Sequence, residues 1–313
     1  MKRLVLAIIS LICPILLASC QEKIEWVIDI QADYPDPEGE EEIIVKQPGF
    51  EEFIALTAQQ LDPHPQGGDS WGNYFFQFVT NNSLVRVYDL STKTLVQTVK
   101  IGSSQRGFVP NCHCNTVNFG NEYYDAEDIF PLIYVSTGNA AGGYTGALVY
   151  RITQHNGLFF ITLVQTIRFP VDKSSWTEFI PGDDGFAYLC YTTERVIFKV
   201  NLPKLKDGDV TITRDEAIEA YQFSQQPDWM FTSRNQDRLF LNGNIIFVSG
   251  VPQSGEASVF VVLNLKTLER ETIIDFKKIG LTQESESLFI WQGDLYVAFV
   301  DKIVKLVNFI DTP

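Results

Sequence analysis

Polar and apolar positions along this chain follow one pattern five times over: a stretch that begins polar, a Gly-Asn or Gly-Asp pair, then a short apolar run. The pairs are Gly72-Asn73, Gly120-Asn121, Gly182-Asp183, Gly243-Asn244 and Gly293-Asp294. The runs after them span residues 74–78, 132–136, 187–191, 245–249 and 295–299. Aromatic and β-branched runs of this length, bounded by turn residues, predict strands buried on both faces. A third strand follows in each unit and ends at Leu90, Ile152, Val200, Leu265 and Val307 in turn, at steps of 62, 48, 65 and 42 residues. Repetition on this scale marks a repeat architecture, and a four-stranded propeller blade takes about 40–50 residues. The predicted fold is therefore all-β, a five-bladed β-propeller with four-stranded blades. Its last unit stops after the third strand. Residues 53–57, an apolar segment ahead of the first unit, are predicted to supply the missing outer strand and close the ring, which removes two open sheet edges. Two stretches break the repeat: residues 122–131, and residues 215–221, for which a short helix is expected. Both read as loop insertions, where a propeller carries specificity.

The segment before the repeat has different grammar. Lys2 and Arg3 precede an apolar stretch over residues 4–17, shorter than the roughly 20 residues of a spanning helix. It runs into Leu17-Ala18-Ser19-Cys20, which resembles the lipobox of bacterial lipoproteins. That resemblance implies acylation of Cys20 and anchoring to the outer membrane. Residues 21–50 carry no period, three prolines and the acidic run 38–42, which suits a tether. The chain thus divides into a signal peptide (1–19), an acidic tether (20–50) and a propeller domain (51–313). Glu22, close behind Cys20, resembles the surface-export signal of Bacteroidetes lipoproteins, so a surface-exposed or a periplasmic domain is expected.

The formal net charge is −15, and loss of Lys2 and Arg3 takes it to −17. Such a surface repels phosphate backbones, which argues against nucleic-acid partners and suits neutral glycans or divalent cations. Cys112, Cys114 and Cys190 read as buried small residues. Strand alternation sets His113 on the face opposite Cys112 and Cys114, so these three do not converge on a zinc ion.

Candidate function lies at the starts of the innermost strands, which line the channel of a propeller and reach its mouth. They offer Gln66 in the first blade, His113 and Asn115 in the second, Trp176 and Glu178 in the third. The fourth offers Gln236 and Asp237, the fifth Glu284 and Glu286. Hydrogen-bonding groups converging on a concave mouth form a binding site, or else they solvate a water-filled tunnel and cap strand ends. Trp229, in an insertion, and Trp176 are the tryptophans placed to stack on a ligand; Trp71 and Trp291, just before their Gly turns, read as core. No cofactor is expected, although Asp237, Glu284 and Glu286 could hold Ca²⁺ through oxygen ligands.

The run from His113 to Gly120, with Gln66-Gly67-Gly68 and Glu284-Ser285-Glu286, resembles a family of uncharacterised propeller lipoproteins of gut Bacteroidetes. It resembles lectin-like propellers more loosely, since Ser287 stands where their Glu-x-Glu-Gly pattern has glycine. The resemblance implies fold and location rather than an activity. The function expected is recognition of a glycan or a protein partner at the channel mouth without catalysis. A glycoside hydrolase or lyase using Glu178, Asp237 or Glu286 is the alternative, with a structural subunit of an outer-membrane complex as the third.

Overall fold

A computed structural model describes residues 48–80, 83–101, 113–137, 146–169, 177–191, 195–223, 235–252, 255 and 258–307. The segment assigned to a signal peptide and residues 20–47 of the tether, including Cys20, lie outside the described residues, as do Cys112, Trp176 and Trp229.

The described chain forms a five-bladed β-propeller made of five antiparallel-based sheets. Strand β1 (Gly49–Ala55) comes first in sequence but last in the ring. Blade one is β2 (Pro65–Trp71), β3 (Tyr74–Val79), β4 (Leu84–Asp89) and β5 (Thr94–Lys100). Blade two is β6 (Val117–Phe119), β7 (Ile133–Ser136), β8 (Gly146–His155) and β9 (Leu158–Arg168). Blade three has β10 (Thr177–Pro181), β11 (Phe186–Tyr191) and β12 (Val196–Asn201). After β12 the chain adds β13 (Val210–Thr211) to the edge of blade two, parallel to β9, and returns as β14 (Glu219–Gln222), the outer strand of blade three. Blade four is β15 (Asn235–Leu241), β16 (Asn244–Ser249), β17 (Val259–Asn264) and β18 (Arg270–Asp275). Blade five is β19 (Ser285–Trp291), β20 (Asp294–Phe299) and β21 (Lys302–Val307), completed by β1.

The closure is the one expected. Strand β1 pairs antiparallel with β21, Phe50 opposite Leu306 and Ile54 opposite Ile303. The closing strand begins at Gly49, two residues ahead of the domain start read from the sequence, and ends at Ala55, two short of the predicted segment's end at residue 57. The segment expected to be a short helix is instead a 3₁₀ turn at Arg214–Glu216 followed by β14. Helix over 215–221 would leave β12 as an open edge, and the ladder from β12 to β14 wins because it fills that edge.

The core lies between the blades, in five layers. Alternate residues of each second strand point to opposite neighbours: Phe76 and Phe78 pack toward blade two with Val117, Ile133 and Val135, whereas Phe75 packs toward blade five with Phe289 and Tyr296. Both faces of every blade are covered, which is why the second strands read as unbroken apolar runs. The Gly turns join first and second strands at one end of the ring. In blades four and five the turn residues are Asn242-Gly243 and Gln292-Gly293, all with positive φ as a tight hairpin requires, one position ahead of the Gly-Asn and Gly-Asp pairs read from the sequence; Asn244 and Asp294 open the second strands. Blade two replaces the tight turn with the 122–131 insertion. It folds back on its own blade: Arg151 pairs with both carboxylate oxygens of Asp128, at 2.6 and 2.9 Å, and lies over the Tyr124 ring. Trp71 is not core. It ends β2 at the turn side, is 36% exposed, and its indole N–H donates to the Ile129 carbonyl at 3.0 Å. Trp291 packs against Phe53 and Tyr296, as expected for a core position.

Candidate functional site

Each innermost strand runs from the mouth of the channel toward the Gly turns. In blades one, four and five the pairing with the second strand slips near its start, between Pro65 and Gly68, Asn235 and Arg238, and Ser285 and Ser287. A bulge inserts a residue and re-aims side chains. The slips fall on Gln66, on Gln236 and Asp237, and on Glu286, so the polar residues of three blades are re-aimed where the strands converge. Close approach of the strands also depends on Gly67. Its N–H donates to the Cys114 carbonyl at 2.8 Å, and a Cβ there would stand 2.3 Å from the Asn115 oxygen.

The mouth gathers groups from several blades. Glu286 is fully buried; its Oε1 is 2.8 Å from His64 Nε2, and its Oε2 accepts from the Gln66 amide at 3.1 Å. Gln236 donates to Glu284 Oε1 at 2.6 Å. One ligating atom from each of His64, Glu284 and Glu286 can be chosen so that all lie within 4.8 Å of one another. The His64 ring is the accessible member, its side chain 45% exposed. Its hydrogen bond to Glu286 raises its pKa above the ordinary histidine value. Burial pushes the Glu286 carboxyl up to about 7, partly opposed by that same bond. His113 is half-buried near His64, and desolvation together with that neighbour lowers its pKa. Asn115 is buried beside the Gly67 contact.

Two of the expected site residues sit elsewhere. Asp237 is fully buried on the axis, where its Oδ1 accepts from the Val117 N–H (3.3 Å) and the Arg238 N–H (2.8 Å). Its Oδ2 accepts from the Leu288 N–H at 3.2 Å. Val117 and Leu288 lie further along their strands than Asn115 and Glu286, so this carboxylate occupies a level below the mouth and ties blades two, four and five together. Burial drives its pKa well up despite the three donors. Glu178 is also buried. Its Oε2 is 2.9 Å from Arg238 Nε and accepts from the Thr116 hydroxyl at 2.9 Å, linking blades two, three and four. Desolvation raises its pKa, with Arg238 opposing. Asp69 makes a similar link from blade one, accepting from the Phe119 N–H at 2.8 Å, and burial lifts its pKa to about 7. Cys114 and Cys190 are buried, and burial pushes the Cys190 thiol up to about 11.

Of the residues singled out from sequence, Gln66, Gln236, Glu284 and Glu286 come together at the mouth, Glu286 hydrogen-bonded to Gln66 and Glu284 to Gln236, with His113 half-buried near His64 and Asn115 beside Gly67. Glu178 and Asp237 belong to the polar axis below. Sequence reading passed over His64, Arg238 and Asp69. The signal for His64 was present, two positions before Gln66 on the same strand approach; Arg238 adjoins a residue already chosen.

No protein-family model matches this chain, and no curated protein is recognisably similar to it. Among solved structures it is similar to a virginiamycin B lyase from Staphylococcus aureus, at 13% identity over 83% of this chain and 99% of the lyase, TM-score 0.43. It is also similar to a glutaminyl cyclase from Myxococcus xanthus, at 11% identity over 84% of this chain and 94% of the cyclase, TM-score 0.46. Likeness at this level carries nothing about activity. The class of protein is defined by the sheet topology itself, a five-bladed propeller with a polar mouth above a buried polar axis.

Proposed function

We propose that this chain is a lipid-anchored propeller of the cell envelope that binds a neutral glycan at its channel mouth without catalysis. The observation that supports it most is the division of the polar residues into two levels. Glu178 and Asp237 are held by Arg238, Thr116 and three backbone N–H groups below the mouth, where both are buried. What the mouth presents is the half-exposed His64 imidazole and the partly exposed Glu284 carboxylate, backed by buried Glu286 and by the Gln66 and Gln236 amides that hold the two acids. Carboxylates and amides match the hydroxyls of a sugar, and a net charge of −15 disfavours an anionic ligand. Hydrolysis needs two carboxyl groups free to face the scissile bond. Here both oxygens of Glu286 are already in hydrogen bonds to protein groups. Anchoring rests on Leu17-Ala18-Ser19-Cys20 and its resemblance to a lipobox.

The test is a glycan panel scored for retention and for released sugar in the same wells. Retention without product, lost in His64→Ala and His113→Ala, is the expected result. Released sugar makes the protein a hydrolase or lyase. No retention, with a protein co-purifying from native membrane, replaces the glycan by a protein partner or an outer-membrane assembly.

A further inference from the structure

We infer that His64, Glu284 and Glu286 form a binding site for a divalent transition-metal ion of the Zn²⁺ class at the channel mouth. The three ligands come from two neighbouring blades: His64 precedes the first strand of blade one, while Glu284 and Glu286 flank Ser285 at the start of blade five. Their nearest ligating atoms all lie within 4.8 Å, and His64 Nε2 is already 2.8 Å from Glu286 Oε1. Around a tetrahedral Zn²⁺ with bonds of about 2.0–2.2 Å, ligand atoms stand about 3.3–3.6 Å apart. Reaching that spacing opens the His64–Glu286 hydrogen bond from 2.8 Å and closes the wider separations from at most 4.8 Å, both by side-chain movement.

Two further observations separate this cluster from a chance gathering of acids. First, each carboxylate is oriented by an outer amide. The Gln66 amide holds Glu286 Oε2 at 3.1 Å, leaving Oε1 turned to His64, and Gln236 holds Glu284 Oε1 at 2.6 Å. Outer hydrogen bonds of this kind set ligand orientation in metal sites. Second, Gln66 is 97% buried (3% exposed) beside Glu286, and its Oε1 has no hydrogen-bond partner among the described residues. The donor set selects the metal class. One imidazole with two carboxylates suits Zn²⁺ and its neighbours, whereas Ca²⁺ takes six to eight oxygens. The exposed edge of His64 gives the ion a route in and leaves a coordination position facing solvent. Asp237, the third acid expected to take part in a Ca²⁺ site, is held a level below by backbone donors.

This site shares the mouth with the glycan reading and is tested without any glycan. The full chain, purified in mild detergent and stripped with EDTA, is titrated with Zn²⁺ by calorimetry, with bound metal counted by mass spectrometry. One Zn²⁺ per chain is expected, retained against a thousandfold excess of Ca²⁺. His64→Gln and Glu286→Gln should each weaken it at least tenfold, and Gln66→Leu by about tenfold through lost orientation. His155→Gln, at the distant end of β8, should leave it unchanged. Zn²⁺ should raise the melting temperature of the parent and not of His64→Gln. Because His64 is half exposed, that variant should fold like the parent, shown by a cooperative melt and an unchanged circular-dichroism spectrum in EDTA. Absence of Zn²⁺ binding, unchanged affinity in folded His64→Gln, or displacement by Ca²⁺ each overturns the inference.

Discussion

Removing the Asp237 carboxylate tests whether the ring is held at its axis. It is buried completely and accepts three backbone N–H bonds, from Val117 in blade two, Arg238 in blade four and Leu288 in blade five. In Asp237→Ala these donors lose their partner, and each buried unsatisfied N–H costs about 1–3 kcal/mol. Set against that is the relief of burying a carboxyl whose pKa burial already drives up. The expected net loss is about 3–5 kcal/mol, a large part of the roughly 5–15 kcal/mol that stabilises a domain. Asp237→Asn keeps the oxygen that serves Val117 and Arg238 and turns an amide N–H₂ toward Leu288, so it should cost only about 1–3 kcal/mol. Guanidinium unfolding followed by tryptophan fluorescence reads both, provided the slope with denaturant is unchanged. A loss below about 1 kcal/mol in Asp237→Ala, or an Asn variant less stable than the Ala variant, would refute the axial role. Folded Asp237→Asn should retain whatever ligand the mouth binds, which separates an axial tie from a contact residue.

Three further outcomes follow from the same geometry. Breaking the buried Glu178–Arg238 pair by Glu178→Gln or Arg238→Met should cost about 3–5 kcal/mol in denaturant unfolding, and the Glu178→Leu/Arg238→Met double variant should cost less than the two single losses together. Glu286 has a folded pKa of about 7 against 4.5 unfolded, so its contribution is fully present below pH 4.5 and is lost as pH rises through 7. His64, also raised, acts in the same direction. In EDTA the parent should therefore lose about 3 kcal/mol more than Glu286→Gln between pH 4.5 and 7, while the raised carboxyls of Asp69, Asp237 and Glu178 add to the slope of both; a parent no steeper than Glu286→Gln contradicts the assignment. Gly67→Ala places a Cβ 2.3 Å from the Asn115 oxygen and 2.5 Å from the Cys114 oxygen, both backbone atoms, and should destabilise by about 3 kcal/mol; a neutral melt would mean that the two inner strands separate freely.

Local chemistry determined the architecture of this protein. Turn glycines such as Gly243 and Gly293 meet the positive φ that hairpins demand, and apolar runs such as 74–78 are continuous because each blade is packed on both faces. The orphan segment around Ile54 announced the closing strand, since an unpaired apolar run and a three-stranded last unit complete each other. Periodicity also led astray at residues 215–221, where the open edge of β12 outweighed helical spacing. The polar residues divided along another line. That Gln66, Glu284 and Glu286 converge with His64 at the mouth, while Asp237 and Glu178 turn to backbone donors and Arg238 beneath it, was settled only in three dimensions. The bulges at Gln66, at Gln236-Asp237 and at Glu286 break the two-residue alternation on which a reading of strand faces depends. The partners of each carboxylate lie on other blades, 222 residues away in the case of His64 and Glu286, so nothing local to either residue encodes the pairing.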